Sequence, residues 1–232
     1  MKINNMQMKF FVGAILLLMS ISTYSQETVV VQDLETWSSL NLNYKINKKW
    51  AMALQGQLRL ENNSSEVSQY FGQLDLEYTK NKHFEFVGAL RYIRKNDNTG
   101  NIQGYENHFR YHLDGIYKYK LNDFSVKYRL RYQNKTELDV IDTAQKNIRF
   151  KAGISYKKKK WKLNPGFSGE LFRSIGSESD NELEGYRLTL GTSFKIDKQT
   201  KMKVFYRYDK ELNTTYPQST NIIGLKYTYN LK

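Results

Sequence analysis

The stretch Phe124-Ser125-Val126-Lys127-Tyr128-Arg129-Leu130-Arg131-Tyr132-Gln133 decides the fold. Every even position is apolar or aromatic, and every odd position is polar. Side chains alternate sides along a β-strand, so this segment has one wholly apolar face and one wholly polar face. Helical spacing would mix the two sets.

Working outward, the same alternation recurs. It runs through Leu40–Ile46, Trp50–Leu60, Tyr70–Tyr78, Phe84–Tyr92 and Phe109–Tyr119 on one side. On the other it continues through Ile148–Tyr156, Trp161–Leu171, Tyr186–Ile196, Met202–Tyr208 and Leu225–Leu231. About eleven segments of roughly ten residues result, the length a tilted membrane strand needs. Short connections, such as Asn47–Lys49, Lys80–Lys82, Leu121–Asp123, Lys157–Lys160 and Asp197–Gln199, alternate with longer ones. The longer ones are Asn62–Glu66, Lys95–Gly104, Asn134–Gln145, Ser174–Asn181 and Asn213–Ser219. Short periplasmic turns and longer outer loops are the pattern of an outer-membrane barrel. The expected fold is all-β: one antiparallel, up-and-down transmembrane β-barrel.

Two features adjust that expectation. An odd strand count would start the first strand on the outer side, so an extra short strand at Thr28–Gln32 would give twelve, with ten the next alternative. Pro165 falls inside a good strand, where it cannot donate a ladder hydrogen bond, and predicts a bulge or irregularity there. For the hairpin around Asn122, pairing Phe124 with Tyr119 keeps both apolar sets on one face and sets Asp114 opposite Arg129.

Composition agrees with strands. The 232 residues include 18 Tyr and 12 Phe but only 2 Pro, and there is no Cys. The absence of Cys excludes disulfides, thiolate metal sites and a cysteine-borne lipid anchor. Tyr78, Phe84, Tyr119, Phe124, Tyr156, Trp161 and Trp50 flank short turns, while Tyr70, Tyr92, Tyr105, Tyr132, Tyr186 and Tyr208 lie toward long loops. They read as two interfacial girdles.

The N-terminus is a separate object. Lys2 and Lys9 precede the apolar stretch Phe10–Ile21, and Thr23-Tyr24-Ser25 supplies small residues for cleavage. Residues 1–25 therefore read as a secretory signal peptide, leaving 26–232 as a single domain. Cleavage removes two lysines and no acid, lowering the formal charge from +13 to +11.

The polar face carries Arg59, Arg91, Arg110, Arg129, Arg131, Arg149, Lys151, Arg187 and Arg207, with Asp75, Glu77, Glu85, Asp114 and Glu170 among them. These are the expected lumen-lining charges. Two arrangements are open: a salt-bridged plug, because buried charges must be paired, or a narrow pore preferring anions, because cations exceed acids.

Histidine offers little chemistry. His108 and His112 share a strand face, but at about 13 Å apart they cannot bind one metal. No nucleophile elbow accompanies them, so no catalytic residue, metal or cofactor is expected. The acidic loops, with Glu137, Asp139 and Asp142 in one and Glu178, Asp180, Glu182 and Glu184 in another, lack the spacing of a calcium loop. Lysines in the short turns, Lys157–Lys160 above all, suit anionic headgroups of the inner leaflet. Basic residues dispersed at alternate positions, without a binding motif, exclude nucleic acid as the partner. The expected partners are outer-membrane lipid and a small anionic solute or a protein. No feature sets an oligomeric state.

The chain resembles an uncharacterised outer-membrane β-barrel family of Bacteroidetes, domain of unknown function 2490. The likeness rests on W-S-S-L-N-L-N-Y-K at Trp37–Lys45, Q-L-R-L at Gln57–Leu60, G-A-L-R-Y at Gly88–Tyr92 and Y-R-L-R-Y at Tyr128–Tyr132, with an aromatic-ended final strand. It implies fold and location, not a reaction. Function is then expected to be non-enzymatic: structural, partner-binding or a narrow porin-like channel. A lipid-modifying enzyme of outer-membrane phospholipase type is the alternative.

Overall fold

The computed structural model describes residues 31–98, 103–138, 140–141, 144–159, 161–176 and 183–231. The expected signal peptide and its cleavage site lie outside them. So do Asp139, Asp142, Glu178, Asp180, Glu182 and Lys160.

Eleven strands follow in chain order: β1 (Val31–Lys45), β2 (Trp50–Glu61), β3 (Glu66–Thr79), β4 (Phe84–Asp97), β5 (Gly104–Leu121), β6 (Phe124–Glu137), β7 (Gln145–Tyr156), β8 (Leu163–Ser174), β9 (Leu183–Lys195), β10 (Thr200–Glu211) and β11 (Gln218–Asn230). Each pairs antiparallel with the next, and β1 closes the barrel against β11. The closing pair is parallel, from Val31↔Gln218 to Asn43↔Asn230.

The count is thus eleven among the described residues. Up-and-down strands of odd number can close only with the first and last parallel, and the seam does this. Of the extra strand expected at Thr28–Gln32, residues 28–30 lie outside the described part. Gln32 belongs to β1 itself. The two ends of the barrel chain consequently lie at opposite rims: Val31 with the long loops, Asn230 with the short turns.

Three of the short turns share a device. Asn47 Oδ1 accepts from the backbone N–H of Lys49 and Trp50 at 2.8 and 2.9 Å. Asn81 Oδ1 does the same for His83 and Phe84, both at 2.9 Å. Asp197 Oδ1 does it for Gln199 and Thr200, both at 2.7 Å. These are Asx turns, which satisfy the donors left free where the ladder reverses. The two donors hold the Asp197 carboxyl below its ordinary range. At the other rim, Asp33 accepts from the Asn62 and Asn63 backbone at 3.1 and 2.8 Å and fastens the β2–β3 loop to β1. Asn62, Asn63 and Ser64 all have left-handed backbone, which Asn tolerates well.

One expectation is corrected and another is narrowed. Leu121 pairs with Phe124, so the β5–β6 turn has only Asn122 and Asp123, with Asn122 at φ 53°. The register slides by two, and Asp114 faces Arg131 rather than Arg129. A slide of two preserves the faces, whereas a slide of one would invert them. Of the two outcomes expected at Pro165, the structure shows an irregularity and not a bulge: Pro165 stays in register with Thr192 on β9, while the β7–β8 ladder stops beside it, at Ser155↔Gly166. A residue without a ladder donor is accommodated where no partner stands on that side.

The barrel is polar inside and apolar outside. Leu113, Leu130 and Leu190 are 60%, 56% and 59% exposed. Asp114, Arg110 and Glu170 are 7%, 9% and 3% exposed. Outer-face rings gather near the short turns, where Trp50 meets Tyr78, Phe84 meets Tyr117 and Phe124 meets Tyr156 at 4.8–5.1 Å. Toward the long loops Tyr70–Tyr105, Tyr111–Tyr132 and Tyr186–Tyr208 lie 6.2–6.3 Å apart.

Candidate functional site: the charged lumen

Alternation puts Arg59, Asp75, Glu77, Glu85, Arg91, Arg110, Asp114, Arg129, Arg131, Arg149, Lys151, Glu170, Arg187 and Arg207 on the strand face opposite the exposed apolar row. All but Glu77 and Arg110 are drawn together in two ways.

The first is ion pairing. Arg131 grips Asp114 with Nε and a terminal nitrogen at 2.6 and 2.8 Å. Glu170 stands at a three-way junction: Arg129 at 2.5 Å, Arg149 at 2.7 Å and Lys151 at 3.6 Å. Lys118 pairs with Glu85 at 2.6 Å, and Arg187 with Asp209 through both nitrogens of its fork. Gln73 relays between Asp75 at 2.7 Å and Arg91 Nε at 2.6 Å. Charge-assisted, bidentate contacts of this kind are the strong ones.

The second was not read from the sequence. Trp37, Phe71, Phe172 and Phe205 interrupt the polar parity and carry arginines on their faces. Arg59 lies 3.6 Å above the Trp37 ring, and Arg91 lies 3.5 Å above Phe71. Arg207 lies 4.2 Å from Phe205, and Arg149 lies 4.5 Å from Phe172. A desolvated guanidinium over a ring is stabilised by the ring quadrupole. Trp37, Phe205 and Ile222 form a small apolar core inside the lumen. Phe205 fits because glycines flank it on both neighbouring strands, Gly191 and Gly224. A Cβ at Gly224 would fall 1.9 Å from the Phe205 ring. The signal that could have found these residues is an aromatic at the wrong parity, with Arg two residues from it: Phe205 before Arg207 is one case.

Toward the long-loop rim the lumen opens into a cavity of about 680 Å³ lined by Trp37, Arg59, Phe172, Arg187, Asp209 and Lys210, among others. Glu35, also missed in the sequence, accepts from Trp37 Nε1 at 2.5 Å at this mouth. Opposite charges share the walls, so the mouth is mixed in sign.

No serine stands directly opposite His108 or His112 in the ladders. His108 faces Ile93 and Glu137, and His112 faces Ala89 and Gln133. Glu106, His108 and Glu137 bring one ligand atom each within 4.8 Å of one another. His108 Nε2 lies 3.0 Å from Glu106, which also meets Lys95 at 3.4 Å. Glu106 is thus shared between the His108 ring and the Lys95 ammonium.

The comparison with family models matches residues 34–220 to the family described as "Protein of unknown function (DUF2490)". The chain belongs to that family. The match spans most of β1, all of β2 to β10 and the start of β11, so the DUF2490 unit here is the barrel itself. No curated protein matches the chain.

Proposed function

We propose that this DUF2490 chain is an outer-membrane β-barrel of non-enzymatic type. Its lumen is closed by ion pairs, and its long-loop mouth meets a partner or a small anionic solute. The observation that carries the reading is the inverted distribution of polarity. Apolar side chains face outward along the strands while charges are shut inside, an arrangement stable only where lipid replaces water around the barrel.

Other features support it. The strands are 12–18 residues long, enough to cross a hydrocarbon layer with a tilt. Rings flank the apolar band at both rims, where amphipathic aromatics meet headgroups. The lysine-bearing turns suit the inner leaflet. The signal peptide 1–25 delivers the chain, and Gln26 begins the mature protein. Within the lumen, Asp114, Glu170 and Asp209 pair with arginines of the neighbouring strand, and long paired side chains on eleven strands leave little free bore, which favours a plug over a conduit.

Intact mass and density-gradient fractionation test this reading. The expected product begins at Gln26 and travels with the outer membrane. A soluble periplasmic product would overturn it.

A further inference from the structure

The lumen is unevenly balanced. On the inner wall, cations stand directly opposite cations: Arg91↔Arg110, Arg110↔Lys135, Arg131↔Arg149 and Arg129↔Lys151. Like charges at such positions repel. Asp114 and Glu170 answer the lower pairs. The row Arg91–Arg110–Lys135 has no ion pair with a carboxylate among the described residues.

Arg91 is satisfied otherwise, by Gln73 and the Phe71 face. Arg110 is not. Among the described residues no hydrogen bond, ion pair or ring contact reaches it, and its Nε is buried without a partner. Yet its exposure is only 9%. Two residues along the same face, His112 is 1% exposed, and its Nδ1 is also buried without a partner. A buried charge persists only when something answers it.

We propose that Arg110 and His112 hold a phosphate-type oxyanion inside the barrel, with Arg91 and Lys135 supplying flanking charge. A guanidinium fork matches two oxygens of such a group. A neutral imidazole presents an N–H to a third. Three cations in one cross-strand row favour a dianion over a monovalent ion. The proposal rests on the reading of the lumen as a closed network, of which this anion is the missing acidic member.

The test uses the full mature chain, purified in detergent without phosphate. Inorganic phosphate should raise the unfolding temperature of the wild type beyond what chloride does at equal ionic strength. Calorimetry should show phosphate binding, weakened about tenfold to a hundredfold in Arg110→Gln, as loss of a charged hydrogen-bonding group implies. If Arg110→Gln fails to fold, Arg110→Lys keeps the charge but loses the fork and should still weaken phosphate. Glycerol 3-phosphate serves as a second probe: equal protection identifies a phosphate-ester site, and protection by inorganic phosphate alone identifies a free-ion site. Phosphate acting no better than chloride, or binding equally to wild type and the Arg110 variants, would overturn the proposal. Conductance of the same sample separates the two readings. A silent bilayer without phosphate protection overturns the anion site alone. A conducting barrel that retains the protection supports the site and overturns the closed lumen.

Discussion

Arg131 and Asp114 stand directly opposite across the β5–β6 ladder and close a two-point ion pair. Their side chains are 11% and 5% exposed. Removing one partner strands the other beside Arg149, which pairs with Arg131 on the far side. Asp114→Asn should therefore destabilise the barrel by about 3 kcal/mol, as for other broken buried pairs. Urea unfolding in detergent reads this, and adding Arg131→Gln should recover part of the loss. A stable single variant would show that water already screens the pair.

The faces of this barrel were legible in sequence because alternation is a local property: Leu130 and Arg131 declare opposite sides with no knowledge of their neighbours. Register was less legible. Whether Asn122 opens a two-residue or a longer turn depends on its left-handed backbone, which alternation does not encode. The Asp114 partner slid from Arg129 to Arg131 for that reason. The parallel seam was hidden as well, since it joins Val31 to Gln218 across nearly the whole chain. The aromatic floor beneath the arginines was overlooked because Trp37 and Phe71 break the pattern that identified everything else.

Leu130 tests the outer face. It is 56% exposed, set between Gly115 and Phe150 on the neighbouring strands. Leu130→Lys should cost roughly 2–4 kcal/mol if the residue lies near the bilayer midplane. Unfolding in lipid vesicles measures it. A change no larger than that of a rim substitution would place Leu130 outside the lipid.

Gly224 tests the inner packing. Gly224→Ala would drive a methyl into the Phe205 ring and displace it from beneath Arg207. Overpacking of this kind costs about 1–3 kcal/mol. Gly56→Ala is the control, because nothing lies within 4 Å of the added atom. The two variants should separate clearly in thermal unfolding; equal behaviour would mean that Phe205 has room to move.

The parallel seam makes a topological prediction. A tag placed just before Val31 should be reached from the same side as one in the 213–217 loop, and a tag after Leu231 from the other side. Protease accessibility on intact cells and on spheroplasts decides this. Termini on one side would require an even strand number.

The most direct test is electrical. Purified wild-type protein in planar bilayers should show no steady conductance, because Arg131–Asp114, the Glu170 junction and Arg187–Asp209 pair the lumen charges along the wall, and these long side chains leave little free bore. A stable, anion-selective conductance that falls when Arg129 and Arg131 are replaced by Gln would contradict the closed lumen and make the barrel a channel.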